Sequence, residues 1–312
     1  MLTRCATTDY LSISVPEEGG INFTKFTEES DHVVGPWVGR DPMAGTLIWY
    51  AAPFIALTKD GNTIAYVALN NGFMNMYLKN VKGGKSVVQK TFNKNVYDMC
   101  FSPDGQKIAF SAKNGEDLSI YMVNNEGGTA IQQIISSAYN EMGSVFSNDG
   151  KKIFFTKEEG SMYYVWTIDL ETSLQTQYTE GFTPRPTADP DKILITRNSK
   201  DGKRRGEIWL IDLVKGTETC ILSDPKIGFS SPDISPDGHT IICVGATPAN
   251  KTKPINLDIY SIQIDGSNLK QHTFHGGNDV SPQWSADGKS VYFISQRGSQ
   301  KGAYNIWRMN FD

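Results

Sequence analysis

The chain repeats one pair of signals six times, and few folds tolerate that. The first signal is a turn: Asp60-Gly61, Asp104-Gly105, Asp149-Gly150, Asp237-Gly238 and Asp287-Gly288, with a sixth, shortened copy at Asp189-Pro190-Asp191 that lacks the glycine. Asp-Gly between two apolar runs is a hairpin signal, because Asp tolerates turn conformations and Gly takes φ > 0 without steric cost. The second signal is an aliphatic residue followed by an aromatic one: Met76-Tyr77, Ile120-Tyr121, Val165-Trp166, Ile208-Trp209, Ile259-Tyr260 and Ile306-Trp307. These aromatics, at 77, 121, 166, 209, 260 and 307, stand 44, 45, 43, 51 and 47 residues apart. A period of roughly 40–50 residues with several strands per unit is that of a propeller blade.

Each unit resolves into four runs. An inner strand precedes the turn, as at Val280 to Trp284, and a second follows it, as at Ser290 to Ile294. The third carries the aromatic marker. A more polar run such as Leu269 to Thr273 suits an outer, partly solvated strand. No segment has helical periodicity over eleven or more residues. The expected fold is therefore all-β, a six-bladed propeller of four-stranded antiparallel blades. It forms one domain over residues 1–312: a lead and closing strand (1–27), a non-repeat loop (28–51) and six repeats (52–312).

The seam follows from the ends of the pattern. The last unit stops at its third strand, Ile306 to Met309, while Ile21 to Thr27 resembles a fourth strand with no unit of its own. Pairing the two closes the ring and removes an open sheet edge. Leu11 to Val15 alternates as a further strand.

A net charge of −4 and a pI near 5.7 give no electrostatic case for nucleic acid or an anionic membrane. No apolar run reaches the roughly 18 residues of a bilayer span. Met1 to Cys5 contains no apolar signal region. Cys5 fits the lipid-bearing position of a trimmed lipoprotein, and Arg4 before it fits that signal poorly. The four cysteines do not suggest a disulfide framework: Cys100 falls on an inner strand, Cys243 on a second and Cys220 on an outer one, which reads as isolated buried or half-buried thiols.

The turn, the Lys-x-Ile-x-Phe strand after it (Lys107, Ile108 and Phe110) and the Ile-Tyr/Trp strand together resemble the TolB-type six-bladed propeller, over about residues 52–309. The resemblance implies a non-catalytic repeat domain, commonly periplasmic or of the cell envelope, that binds protein partners or glycans. The repeat motif is structural, so it carries over no functional residue. The chain departs from the full TolB architecture in having no room for a separate α/β domain within residues 1–51.

No Gly-x-Ser-x-Gly elbow, phosphate loop or His-Glu-x-x-His occurs, and the Asp-Gly turns lack the alternating carboxylates of a calcium loop. His272 and His275, three apart beside an outer strand, and His239, beside a turn, read as surface residues; His32 alone makes no metal site. No cofactor or metal is expected. The remaining option is a ligand site in the mouth of the ring. The long connection supplies Trp37, Arg40, Asp41 and Trp49, with His32 and Tyr50 nearby. Loops that lead into inner strands supply Tyr97, Asp98, Tyr139, Asn140, Glu141, Arg185, Asn278 and Asp279. Aromatic faces flanked by carboxylates and arginine suit a sugar or a peptide. The alternative is that Trp37, Trp49 and Tyr50 plug the channel and Arg40 pairs with Asp41. Two functions stay open: a monomeric interaction propeller binding a protein partner or an oligosaccharide, and a glycan-active lyase or hydrolase using the mouth carboxylates and arginine.

Overall fold

A computed structural model describes residues 10–35, 54–83, 87–126, 128–201, 205–248, 255–299 and 301–311. Six four-stranded antiparallel sheets follow one another along the chain. Their inner strands, Ile55–Leu57, Val96–Phe101, Glu141–Phe146, Phe182–Pro186, Gly228–Ile234 and Asp279–Trp284, each neighbour the next, and the last neighbours the first. The ring is therefore closed, as the repeat predicts. Turns from inner to second strand and from third to outer strand lie on one face, here the turn face. Turns from second to third strand and the connections between blades lie on the other, the mouth face.

The turn chemistry explains the first sequence signal. In blade 2 the Ser102 hydroxyl donates to Asp104 Oδ1 (2.5 Å) and accepts from the Lys107 N–H (2.9 Å). Asp104 Oδ1 also accepts from the Gln106 N–H (3.0 Å), and the Gly105 N–H donates to the Ser102 carbonyl (2.8 Å). The same four bonds recur around Asp149, Asp237 and Asp287, and around Asp60 with Thr58 in place of Ser. The hydroxyl and amide hydrogen bonds hold these carboxyls below the usual Asp range. Glycine is required because φ at the five positions is +69° to +78°. The sixth copy is not shortened. Thr187 stands where Ser does, Asp189 Oδ1 accepts from the Asp191 N–H (3.1 Å), and Pro190 occupies the glycine position. The second signal packs between strands: Tyr77 stacks on Tyr66 and Tyr121 on Phe110, with ring centroids 5.9 and 5.6 Å apart.

The seam closes as expected. Phe23–Lys25 pairs antiparallel with the third strand of blade 6, Phe23 opposite Met309 and Lys25 opposite Trp307. Leu11 to Val15 forms no strand. Leu11 and Ile13 are exposed, and this stretch crosses the turn after Ser295, with the Tyr10 and Ser12 carbonyls accepting from the Ser299 and Gly298 N–H groups. Its alternation had signalled a strand, but no sheet edge lies alongside to pair with it. The outer strand of blade 5 is only Lys270–Gln271, shorter than the polar run suggested.

The long connection begins by doing structural work. Val33 bridges Ala68, so residues 33–34 continue the inner edge of blade 1 beyond its short strand. Gly35 lies flat on the Tyr304 ring, where a Cβ would sit 2.6 Å from ring carbons. Trp37, Arg40, Asp41, Trp49 and Tyr50 lie outside the described residues, as does Cys5. Cys100 is half-buried and Cys243 buried, as expected, whereas Cys220 is exposed on its outer strand; all three are free thiols.

Gly238→Val and Gly105→Val should both destabilise the fold, by roughly 1–3 kcal/mol, since a β-branched residue is strained at positive φ. Gly238→Val should cost more. A Cβ there meets Ala188 Cβ at 3.0 Å, whereas at Gly105 the nearest atom is Thr58 Cγ2 at 3.8 Å. Urea denaturation of the two variants checks the order.

Candidate functional site

The inner strand of a blade has a sheet neighbour on one side and the channel on the other, so some of its N–H groups need partners from elsewhere. In blades 2 to 6 the inner strand also carries a register shift. Gly143, Thr183, Ser231 and Ser281 take φ of +65°, +51°, +53° and +53° there. The next residue is Pro184, Pro232 or Pro282 in blades 4 to 6, which removes a donor that the sheet would not have used. This Ser/Thr-Pro pair, four and three residues ahead of the turn Ser or Thr, is a third repeated signal that the sequence reading missed.

Asp98 stands at the equivalent place in blade 2, and its carboxylate serves blade 3. It accepts from the N–H groups of Gly143 (2.8 Å) and Ser144 (3.2 Å), from Ser144 Oγ (3.1 Å) and from the N–H (3.2 Å) and hydroxyl of Ser111. It is fully buried; burial pushes its carboxyl above the usual range while these donors pull against that. Asp98 is thus a blade-to-blade staple rather than a mouth ligand.

Asp279 is also withdrawn from the mouth. It is fully buried and accepts from Arg297 Nη2 at 2.7 Å; the same guanidinium bonds Glu18 at 3.0 and 3.3 Å and the Ile13 carbonyl at 2.9 Å. Phe23 covers it, with its ring centroid 3.9 Å away. This cluster clamps the N-terminal segment onto blade 6. Asp258 of blade 5 lies beside it. Burial first, then the charge of Asp279, pushes its carboxyl up to about 8.

Glu141 is buried at the head of its inner strand. It accepts from the Ser137 hydroxyl, and burial raises its carboxyl despite the nearby Lys157. Tyr97 is half-buried, and burial raises its phenol. Arg185 does reach the channel. Its Nε lies 3.1 Å from Asp233 Oδ1, and Asp233 Oδ2 in turn accepts from the Trp284 N–H at 2.8 Å, linking blades 4, 5 and 6. The cavity that Arg185 borders, between Gly143 and Gln283, holds only about 20 Å³, room for one water and not for a sugar ring. Tyr139 stays 45 % exposed, with Lys157 Nζ 4.7 Å from its ring and 4.7 Å from that of Trp166.

The histidine pair also departs from the surface reading. His272 bonds Ser261 Oγ at 2.7 Å, and burial lowers its pKa to about 4. His275 is fully buried. Both are covered by distant segments, Phe311 over His272 and Glu18 next to Phe274, which local spacing does not reveal. His239 is exposed on its turn, as expected. Among the described residues no group of three or more His, Cys, Asp or Glu side chains is placed to hold a metal ion.

A model of the TolB beta propeller domain matches residues 50–247. Over 65 residues the chain is 37% identical to dipeptidyl-peptidase 5 of Porphyromonas gingivalis, covering 21% of this chain and 10% of that protein. The chain spans about half or less of the length of the curated relatives it matches. Among solved structures, a TolB of Agrobacterium tumefaciens superposes with a TM-score of 0.62 at 18% identity, over 84% of this chain and 90% of that one. Oligogalacturonate lyase of Vibrio parahaemolyticus superposes at 0.57 and 14% identity, over 94% and 97%. At these identities the likeness is one of fold.

Two outcomes test the buried network. Asp98→Ala leaves the Gly143 and Ser144 N–H groups buried without an acceptor and should cost about 3 kcal/mol in chemical denaturation. For Asp258, a folded-state value of about 8 against an ordinary 3.8 means that the folded chain keeps a proton the unfolded chain has released. Its contribution is full below the unfolded value and is lost as pH rises through about 8. Asp258→Asn should therefore flatten the fall in melting temperature over that window.

Proposed function

The chain belongs to the TolB beta-propeller family, and from that premise we propose that it is a non-catalytic interaction propeller of the cell envelope whose mouth face binds a protein partner. One observation carries this reading. Among the described residues, the charged side chains nearest the axis hold blades together: Asp98 on blade 3, Asp233 and Arg185 on each other, Asp279 and Glu18 on Arg297. The mouth face also exposes large apolar side chains. Leu69, Phe92, Tyr139 and Met162, on turns and connections of blades 1 to 3, are 50, 57, 45 and 38 % exposed. Aromatic residues and Met are the side chains enriched in protein interfaces. The cavity beside Arg185 has room for one water and does not admit a sugar ring.

The likeness in fold to oligogalacturonate lyase over most of both chains supports a second reading, a glycan-active enzyme. Its chemistry would need a base and an electrophile converging in the mouth, and the three candidate carboxylates that the structure describes, Asp98, Glu141 and Asp279, are buried.

Cross-linking of wild-type protein in an envelope extract should give a defined adduct that Phe92→Asp with Tyr139→Ala abolishes, with the melting temperature within a few degrees of wild type. An adduct unchanged in that variant overturns the mouth-face assignment. Release of unsaturated product from oligouronates by the purified protein would favour the enzyme.

A further inference from the structure

The turn face carries a groove that the mouth-face reading does not use. Around the ring each turn glycine tucks against the turn of the preceding blade. A Cβ at Gly61, Gly150, Gly238 or Gly288 would lie 3.1, 3.4, 3.0 or 3.5 Å from Ala286, Pro103, Ala188 or Pro236. These partners are Ala or Pro, small or rigid enough to stay under the next turn. Blade 3 has Asn148 at that place, and its Nδ2 donates to the Thr187 carbonyl of the next turn at 2.8 Å; blade 1 has Lys59, which is exposed and reaches no such partner among the described residues. At Gly105 the nearest atom is Thr58 Cγ2, 3.8 Å away, and no atom of Lys59 lies within 4 Å. The ring of turns is loosest at this junction, and a groove of about 1020 Å³ opens between blades 1 and 2. That is the upper end of the size range of ligand sites, roughly 300–1,000 Å³.

The walls are polar. Among the described lining residues, all but Pro103 and Gly105 have a polar side chain. Among the described residues, Lys59, Gln106, Lys107, Asn124 and Glu126 make no side-chain hydrogen bond. Asn62 and Asn125 use one amide hydrogen each, on Asp60 and on the Gly105 carbonyl, and keep their carbonyl oxygens. Protein partners anchor on buried aromatic or aliphatic side chains, and this groove has none. Nucleic acid needs an excess of cations; here Lys59 and Lys107 face Asp60, Asp104 and Glu126. Side-chain amides, carboxylates and ammonium groups at close spacing match a ligand whose every group both donates and accepts.

We propose that the groove between blades 1 and 2 on the turn face is an oligosaccharide-binding site, with Lys59 opening it and Gln106, Asn124 and Glu126 reading sugar hydroxyls. It is independent of the protein site on the opposite face.

The test is a glycan microarray with the intact protein, followed by calorimetry with the strongest-binding glycan. Lys59→Pro restores the residue that Pro103 and Pro236 supply in blades 2 and 5, so the turn backbone accepts it and the groove narrows. It should weaken the glycan by about tenfold or more. Gln106→Ala with Asn124→Ala, two exposed positions, should do the same without altering the melting temperature, and Phe92→Asp should leave the affinity unchanged. Absence of any glycan above background overturns the proposal. So does a glycan whose affinity survives both groove variants, or one lost only in Phe92→Asp.

Discussion

Every inner strand of the ring has one sheet neighbour and one bare edge, and the structure depends on how that edge is satisfied. Buried N–H groups without acceptors are costly. The preceding blade supplies acceptors: Asp98 for Gly143 and Ser144, Thr156 Oγ1 for Thr183, Asp233 for Trp284 and Ser281 Oγ for Phe54. Where no acceptor is supplied, proline removes the donor, as at Pro184, Pro232 and Pro282. Blade-to-blade cohesion is therefore polar at the axis and apolar further out, where the aromatic third-strand residues pack.

The seam uses a different device. Three backbone pairs join Phe23–Lys25 to the last blade, a short ladder for the one place where a blade is assembled from both ends of the chain. The buried Arg297, shared by Glu18 and Asp279, adds a fixed point beyond the ladder. A guanidinium has five donors in a rigid plane and can hold two carboxylates and a carbonyl at once, which a lysine could not do with the same geometry. A third carboxylate, Asp258, lies nearby, its proton affinity raised by burial first and then by the charge of Asp279, so the clamp carries an excess of acidic groups over its single arginine.

The same economy separates the two faces. Charged residues near the axis are spent on structure, and the mouth face is left with exposed apolar side chains such as Phe92 and Tyr139. On the turn face the hydrogen-bonded Asp turns are rigid. Two of them depart from the Ala-or-Pro pattern: Asn148 bonds the Thr187 carbonyl of the next turn, whereas Lys59 makes no such bond among the described residues and a polar groove lies beside it.

The sequence by itself determined the blade count, the turn geometry and the seam. Those features rest on local chemistry: Asp-Gly needs φ > 0 at one residue, strand alternation has period two, and a missing fourth strand is visible by counting. It did not determine the fate of the charged residues. Asp98, Glu141 and Asp279 read as mouth ligands because they precede inner strands, yet they are buried, and His272 and His275 read as surface residues, yet distant segments cover them. Pro184, Pro232 and Pro282 recur at one place in the repeat, but a single Ser-Pro or Thr-Pro pair carries no signal until the ring sets three of them side by side at the channel. Only the tertiary structure decided which carboxylate meets which amide, since each such pair joins residues from different blades, and burial of a charge depends on what the rest of the chain lays over it.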